Sequence, residues 1–162
     1  MKMRILGIDP ALTVTGYGVI ETNRNSINLL EAGIVTTTAG EILTKRLNRI
    51  YKAVSKLISD TDPDVMILEK LYAHYRHPMT AFILGQARGV ICLACAREDI
   101  PLVEYAATRV KKAIVGKGHA SKYQVQRMVA STIGLTKLPK YTDVTDALAL
   151  AIAHSYIINA KI

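Results

Sequence analysis

The sequence predicts an α/β fold: a five-stranded mixed sheet with helices on both faces, in a single domain spanning residues 1–162. Three observations lead there. Half of the 162 residues are apolar, enough for one core and too short a chain for two comfortable ones. Five short runs rich in β-branched residues alternate with segments of helical period. The first three runs are joined by links too short for anything but antiparallel pairing, and the fourth follows a helix, as a parallel crossover requires.

Residues 4–9 form the first strand, an apolar run closing on Asp9. Residues 10–14 make a turn, 16–22 a second strand, 23–25 a polar turn and 26–38 a third strand, with Gly33 as the expected bulge. The period then changes. Over residues 41–59, Ile42, Leu43, Leu47, Ile50, Val54, Leu57 and Ile58 recur every three or four positions, while Lys45, Arg46, Arg49, Lys52 and Lys56 are assigned to the opposite, polar face. Residues 60–64, with Pro63, end that helix. Residues 65–69 form a second apolar strand closing on an acid, Glu69. After the polar, aromatic stretch 72–77, Pro78 suits the start of a helix reaching about residue 98. Residues 101–105 are a short strand, 108–115 and 121–133 helices flanking a Gly116-Lys117-Gly118-His119 turn, and 143–158 a largely apolar final helix.

Composition narrows the function. The formal charge is +8, and residues 105–140 hold eight basic residues, among them Lys111, Lys117 and Lys122, with no acid. Such a field retains a phosphate backbone. No unbroken apolar run approaches the eighteen residues of a membrane span, and no secretory leader is visible, so the expected place is the cytoplasm, with no membrane partner. Cys92 and Cys95 lie three apart in a helix without a second pair, and are read as plain buried thiols rather than a zinc or redox motif. The serines have no evident His and acid relay.

Four of the thirteen acids occupy unusual places. Asp9 and Glu69 each end a strand expected at the sheet's centre, where a lone buried charge is costly, so they belong at the crevice beyond the strand ends or beside a cation. Asp143 and Asp146, three apart at a helix start, share one face; an N-terminal cap is the plain alternative for Asp143. Oxygen donors without histidine suit hard divalent cations, and two such ions hydrolyse phosphodiesters. His154, on the last helix, reads as a hydrogen-bonded packing residue.

These motifs, in this order, resemble the RuvC family of Holliday junction resolvases over nearly the whole chain. Gly7-Ile8-Asp9-Pro10 followed by Thr15-Gly16-Tyr17-Gly18-Val19, then Ile67-Leu68-Glu69, Gly85-Gln86-Ala87-Arg88-Gly89, Glu104-Tyr105-Ala106 and Asp143-Val144-Thr145-Asp146 carry the likeness. The resemblance implies an RNase H-like nuclease that acts as a homodimer and nicks opposed strands of a four-way DNA junction, leaving 5′-phosphate and 3′-hydroxyl ends. It implies Asp9, Glu69, Asp143 and Asp146 as catalytic and metal-binding carboxylates holding Mg2+, with Mn2+ as an alternative and two ions per site. It makes Tyr72, Lys111 and Lys122 DNA-binding candidates, joined by Arg76 and Lys117 from their basic surroundings. It puts the dimer contact on the helix from Pro78, where Gly85, Arg88, Gly89 and Cys92 share helical offsets that suit a dimer face or packing within the chain. The implied partner is the RuvA–RuvB branch-migration complex. Ala11 stands where the family often has glycine, and Lys70 where an uncharged polar residue is common. The competing functions are an RNase H-like nuclease of structured RNA and a non-catalytic protein that holds branched DNA.

Overall fold

A computed structural model describes residues 2–24, 26–71 and 78–160. The stretch containing Tyr72 and Arg76, with His74, Tyr75 and His77, lies outside the described residues. The elements run β1 (Met3–Asp9), β2 (Val14–Thr22), β3 (Ile27–Thr36), α1 (Leu43–Thr61), β4 (Val65–Glu69), α2 (Pro78–Arg97), β5 (Leu102–Tyr105), α3 (Ala107–Val115), α4 (Lys122–Thr132) and α5 (Thr142–Asn159). They form one sheet of order β3-β2-β1-β4-β5. The first three strands are an antiparallel meander, and β4 and β5 add in parallel to β1, the mixed sheet expected from link lengths.

Side chains alternate across a strand, and this divides the core in two. Ile5, Ile20, Val65 and Ile67 face α3, α4 and α5; Leu6, Ile8, Val19, Met66 and Leu68 face α1 and α2. The same period continues outward. Asp9 follows Ile5 and Gly7, and Glu69 follows Val65 and Ile67, so both acids lie on the α5 side.

The expected bulge is displaced. Register slips opposite Val19 and Ile20, which pair with Glu31 and Leu29 and leave Leu30 as the extra residue. Gly33 is regularly paired and is small for another reason: a Cβ there would stand 2.8 Å from the Tyr17 hydroxyl.

Arg46, assigned to the polar face of α1, is buried. Its Nε donates to Thr37 Oγ1 at 2.8 Å and its Nη2 to Thr13 Oγ1 at 3.1 Å and the Leu12 carbonyl at 3.4 Å. This guanidinium ties down the turn that follows Asp9. Thr15 closes the same turn from within, its hydroxyl donating to the Ala11 carbonyl at 2.6 Å and accepting from the Ala11 amide at 3.2 Å. Ala11 therefore serves without a left-handed backbone, and the described non-glycine residues with positive φ are Asp62 and Asp99 alone.

By length and composition α2 could cross a membrane, a property that a search for unbroken apolar runs misses because Arg88 divides the helix. In the fold its Ala87, Ile91, Ala94 and Cys95 are buried against the sheet and α1. Its other side leaves Met79, Phe82, Ile83 and Leu93 exposed.

Candidate active site

The carboxylates gather where β1 and β4 end beneath α5. Asp9, Glu69 and Asp146 line a cleft of about 360 Å³ together with Lys111 of α3 and Lys122 of α4. Asp143 does not line it, but stands close enough for its charge to act on Asp9. Nor does Asp143 cap its helix: Tyr141 holds the N-cap position, and Asp143 lies in the first turn, at the positive end of the dipole.

Glycines set this geometry. A Cβ on Gly7 would lie 2.0 Å from the Ala147 carbonyl oxygen, one on Gly16 2.1 Å from the Asp143 carbonyl oxygen, and one on Gly18 2.4 Å from Leu148 Cδ2. Gly7 and Gly18 are paired across β1 and β2, so they form a trough in which α5 rests against bare backbone. Only that close approach brings Asp143 and Asp146 over the end of β1.

Electrostatics mark the cluster as short of positive charge. Burial, reinforced by Asp146, Asp143 and Glu69 and opposed by Lys122, pushes the Asp9 carboxyl from 3.8 up to about 7. Glu69 is also raised, by burial first and then by Asp146, against the pull of Lys111, Arg88 and Lys122. Lys122 donates to Asp146 Oδ2 at 2.6 Å, and this bond raises its own pKa. One bonded ammonium thus sits among four acids. The donors are all oxygen, the set that hard divalent cations take, so the residues fit Mg2+ in chemistry. Their placement is open: among the described residues no three His, Cys, Asp or Glu side chains are grouped closely enough to hold an ion as they stand.

The remaining candidates divide. Lys117 is exposed in the turn between α3 and α4, outside the cleft lining. Gly85 and Gly89 of α2 are exposed, with open space where a Cβ would stand, and Cys92 is half-buried. Arg88, grouped with them from sequence, turns inward instead and is buried. His154 has the packing role expected of it, its Nδ1 bonded to the Tyr105 hydroxyl at 2.9 Å. Both cysteines are free thiols, Cys95 buried as expected and Cys92 only half-buried. A larger concavity of about 470 Å³ lies at the opposite end of the sheet. Its hydroxyls partly satisfy one another, Thr22 with Ser155 at 3.0 Å, and its described lining contains no acid.

Arg46 is the structural support that sequence reasoning missed. Its signal was present: Arg46, Ile50 and Val54 repeat at four residues, which places the arginine in line with the buried stripe.

A sheet of this order, with acids at the ends of its two central parallel strands and on the helix laid across them, defines an RNase H-like nuclease. Comparison with known proteins narrows the class. A family model described as crossover junction endodeoxyribonuclease RuvC matches residues 5–154. The protein of that description from Rhodopirellula baltica is 41% identical over 158 residues, covering 98% of this chain and 89% of the relative. That from Clostridioides difficile is 42% identical over 154 residues, covering 95% and 90%. The structure of T. thermophilus RuvC in complex with Holliday junction substrate superposes with a TM-score of 0.93 at 31% identity, covering 98% of this chain and 96% of that one. The yeast mitochondrial Holliday junction resolvase Ydc2, at 12% identity and a TM-score of 0.66 over 98% of this chain and 82% of its own, shares the fold alone. The chain belongs to the RuvC family of crossover junction endodeoxyribonucleases.

Proposed function

We propose that this protein resolves four-way DNA junctions in the cytoplasm as a homodimer, each subunit hydrolysing one of two opposed strands to leave a 5′-phosphate and a 3′-hydroxyl. The observation that carries the reading is the cleft where Asp9, Glu69 and Asp146 meet Lys111 and Lys122, with the Asp9 carboxyl driven to about 7 by its burial and then by the neighbouring acids. A non-catalytic DNA-holding protein has no use for acids that repel phosphate.

Asp9, Glu69, Asp143 and Asp146 would hold Mg2+, two ions in the complete site or Mn2+ in their place, supplying Lewis acidity toward the phosphodiester and a more acidic water. The chain's own groups do the rest. Lys111 and Lys122, on two helices of the acid-free basic stretch, neutralise the scissile phosphate from the cleft wall. Lys117, exposed in the adjoining turn, extends the positive track for the backbone. Tyr72, three residues beyond Glu69 in the sequence, is assigned to the junction centre, and Arg76 to a further DNA contact. Delivery of the junction falls to the RuvA–RuvB branch-migration complex.

The decisive assay compares labelled four-way DNA, matched linear duplex and structured RNA, with and without Mg2+. Paired nicking confined to the junction in the presence of Mg2+ is expected. Equal cleavage of duplex, or preference for RNA, would overturn the assignment.

Pairing of subunits is assigned to α2. Met79, Phe82 and Ile83 stand exposed at helical spacing, and the open positions of Gly85 and Gly89 admit a second helix at close range. Phe82→Asp places a charge in that face. Loss of a buried aromatic anchor weakens an interface by about 2 kcal/mol or more, some thirtyfold in Kd. Light scattering should show monomers at concentrations where the wild type is dimeric, and a dimer of undiminished strength would remove α2 from the interface.

A further inference from the structure

We propose that Arg88 is a positioning residue for Glu69, holding the end of β4 from the face of the sheet opposite the active site so that the carboxylate is presented to the metal. The inference rests on the junction-nuclease reading and concerns how its acidic site is kept in shape.

Glu69 is the last residue of β4 and lies one step past the final β1–β4 pair, Ile8 with Leu68. On that side the ladder has stopped, and its remaining neighbour is β5, where Glu69 stands opposite Tyr105 and the Lys70 amide donates to the Tyr105 carbonyl at 2.8 Å. An acid at a strand end supported along one edge needs a further tie if its carboxylate is to keep one orientation. Arg88 supplies it. Its Nη1 donates to the Glu69 carbonyl at 2.9 Å, and its Nη2 is bonded to the Glu104 carboxylate.

Three features make this a tie on β4 rather than a surface ion pair. First, the arginine side chain is 11% exposed while its Glu104 partner is 45% exposed, so the guanidinium is held inside the fold. Second, Glu104 pairs in register with Leu68, whose side chain faces α1 and α2. Arg88 therefore approaches from the α2 layer while Glu69 lines the cleft on the α5 side, and Arg88 is not part of that lining. Third, its fork spans two strands at once, one nitrogen bonded to the β4 backbone and another to a β5 side chain, a fixed two-nitrogen geometry that a planar guanidinium has and a single ammonium nitrogen lacks. Supports of this kind around ligating groups change metal affinity or activity by about 10–100-fold when removed.

The test uses full-length wild type, Arg88→Met, Arg88→Lys and Glu104→Ala. Mn2+ binding to the DNA-free proteins is read by electron paramagnetic resonance, and single-turnover junction nicking is followed across a Mg2+ titration. Melting temperature and mass are recorded in parallel. Arg88→Met should bind Mn2+ at least about tenfold more weakly, raise the Mg2+ midpoint for nicking and slow the reaction by about 30-fold, while remaining folded and dimeric at the assay temperature. Arg88→Lys should recover part of the loss, because it keeps the charge and donors but not the fixed two-nitrogen fork. Glu104→Ala should show a smaller effect of the same sign. A folded Arg88→Met with wild-type Mn2+ affinity and Mg2+ midpoint overturns the proposal, as does a rate that falls only in step with melting temperature. If Arg88→Met does not fold, Glu104→Ala decides alone, and wild-type metal affinity in it is the overturning result. Wild type failing to nick the junction would instead remove the nuclease reading, with the Mn2+ comparison still testing Arg88.

Discussion

Asp9→Asn is expected to bind four-way DNA, to nick it at least about a thousandfold more slowly, and to be more stable than wild type when metal-free at a pH of about 8. The first two effects follow from removing one carboxylate of the proposed metal site, where bound ions would supply several kcal/mol of transition-state stabilisation. The third follows from linkage. The folded Asp9 carboxyl titrates at about 7 against an ordinary 3.8. As pH rises from about 4 to about 7 the unfolded chain releases this proton before the folded one does. The folded state then binds more protons than the unfolded, so the metal-free protein loses stability across that window and the full penalty is present above it. A shift of this size corresponds to about 4 kcal/mol at most. Adjustment of neighbouring charges brings the expected gain in Asp9→Asn nearer 2 kcal/mol, or roughly 4–8 °C in melting temperature.

Calorimetry in chelator at pH values of about 4 and about 8 reads this directly. The two proteins should melt together in acid and separate at alkaline pH, with added Mg2+ raising the wild type more than the variant. Equal melting temperatures at the higher pH would mean that Asp9 is not under the electrostatic load described. Retained nicking would remove it from the metal site.

Gly7→Ala is expected to destabilise the protein by about 3 kcal/mol and to lower the nicking rate of the folded fraction about 100-fold. The added methyl group would meet the Ala147 carbonyl at 2.0 Å. This is rigid helix backbone, so α5 must lift away from β1. Overpacking of this kind costs about 1–3 kcal/mol, occasionally more, and a displacement of about 1 Å at reacting groups costs on the order of 100-fold in rate. Asp143 and Asp146 ride on the helix that moves, so stability and catalysis fall together. Gly40→Ala is the control, since nothing lies within 4 Å of its added methyl and it should resemble wild type in both measurements. Urea unfolding and single-turnover nicking of the three proteins provide the comparison. A Gly7→Ala protein with wild-type stability would show that α5 does not rest in the glycine trough.

Gly7 and Arg46 show how differently neighbouring features are legible. The acids at Asp9 and Glu69 can be placed on one face by counting, since both end strands of period two. The glycine at position 7 is equally visible but carries no sign of what lies above it, because Ala147 is 140 positions away in the chain. Residue type alone reads Arg46 as polar surface, whereas its spacing from Ile50 and Val54 puts it inside. Burial of a guanidinium depends on acceptors from Leu12, Thr13 and Thr37, none of them local to α1. The bulge falls at Leu30 rather than Gly33 for a related reason: glycine at 33 answers the Tyr17 ring on the adjacent strand, a cross-strand demand that looks like a bulge in one dimension.

By itself the sequence determined the strand and helix order, the antiparallel meander, the parallel β4 and the strand-end places of Asp9 and Glu69, because these rest on local period and link length. Tertiary structure alone decided how close α5 comes to β1, that Asp146 shares a cleft with Asp9 and Glu69 while Asp143 stands beside it, and that Arg88 faces inward behind Glu69. Those outcomes depend on contacts between segments distant in the chain, where backbone approach and buried charge are set jointly by elements that no local pattern relates.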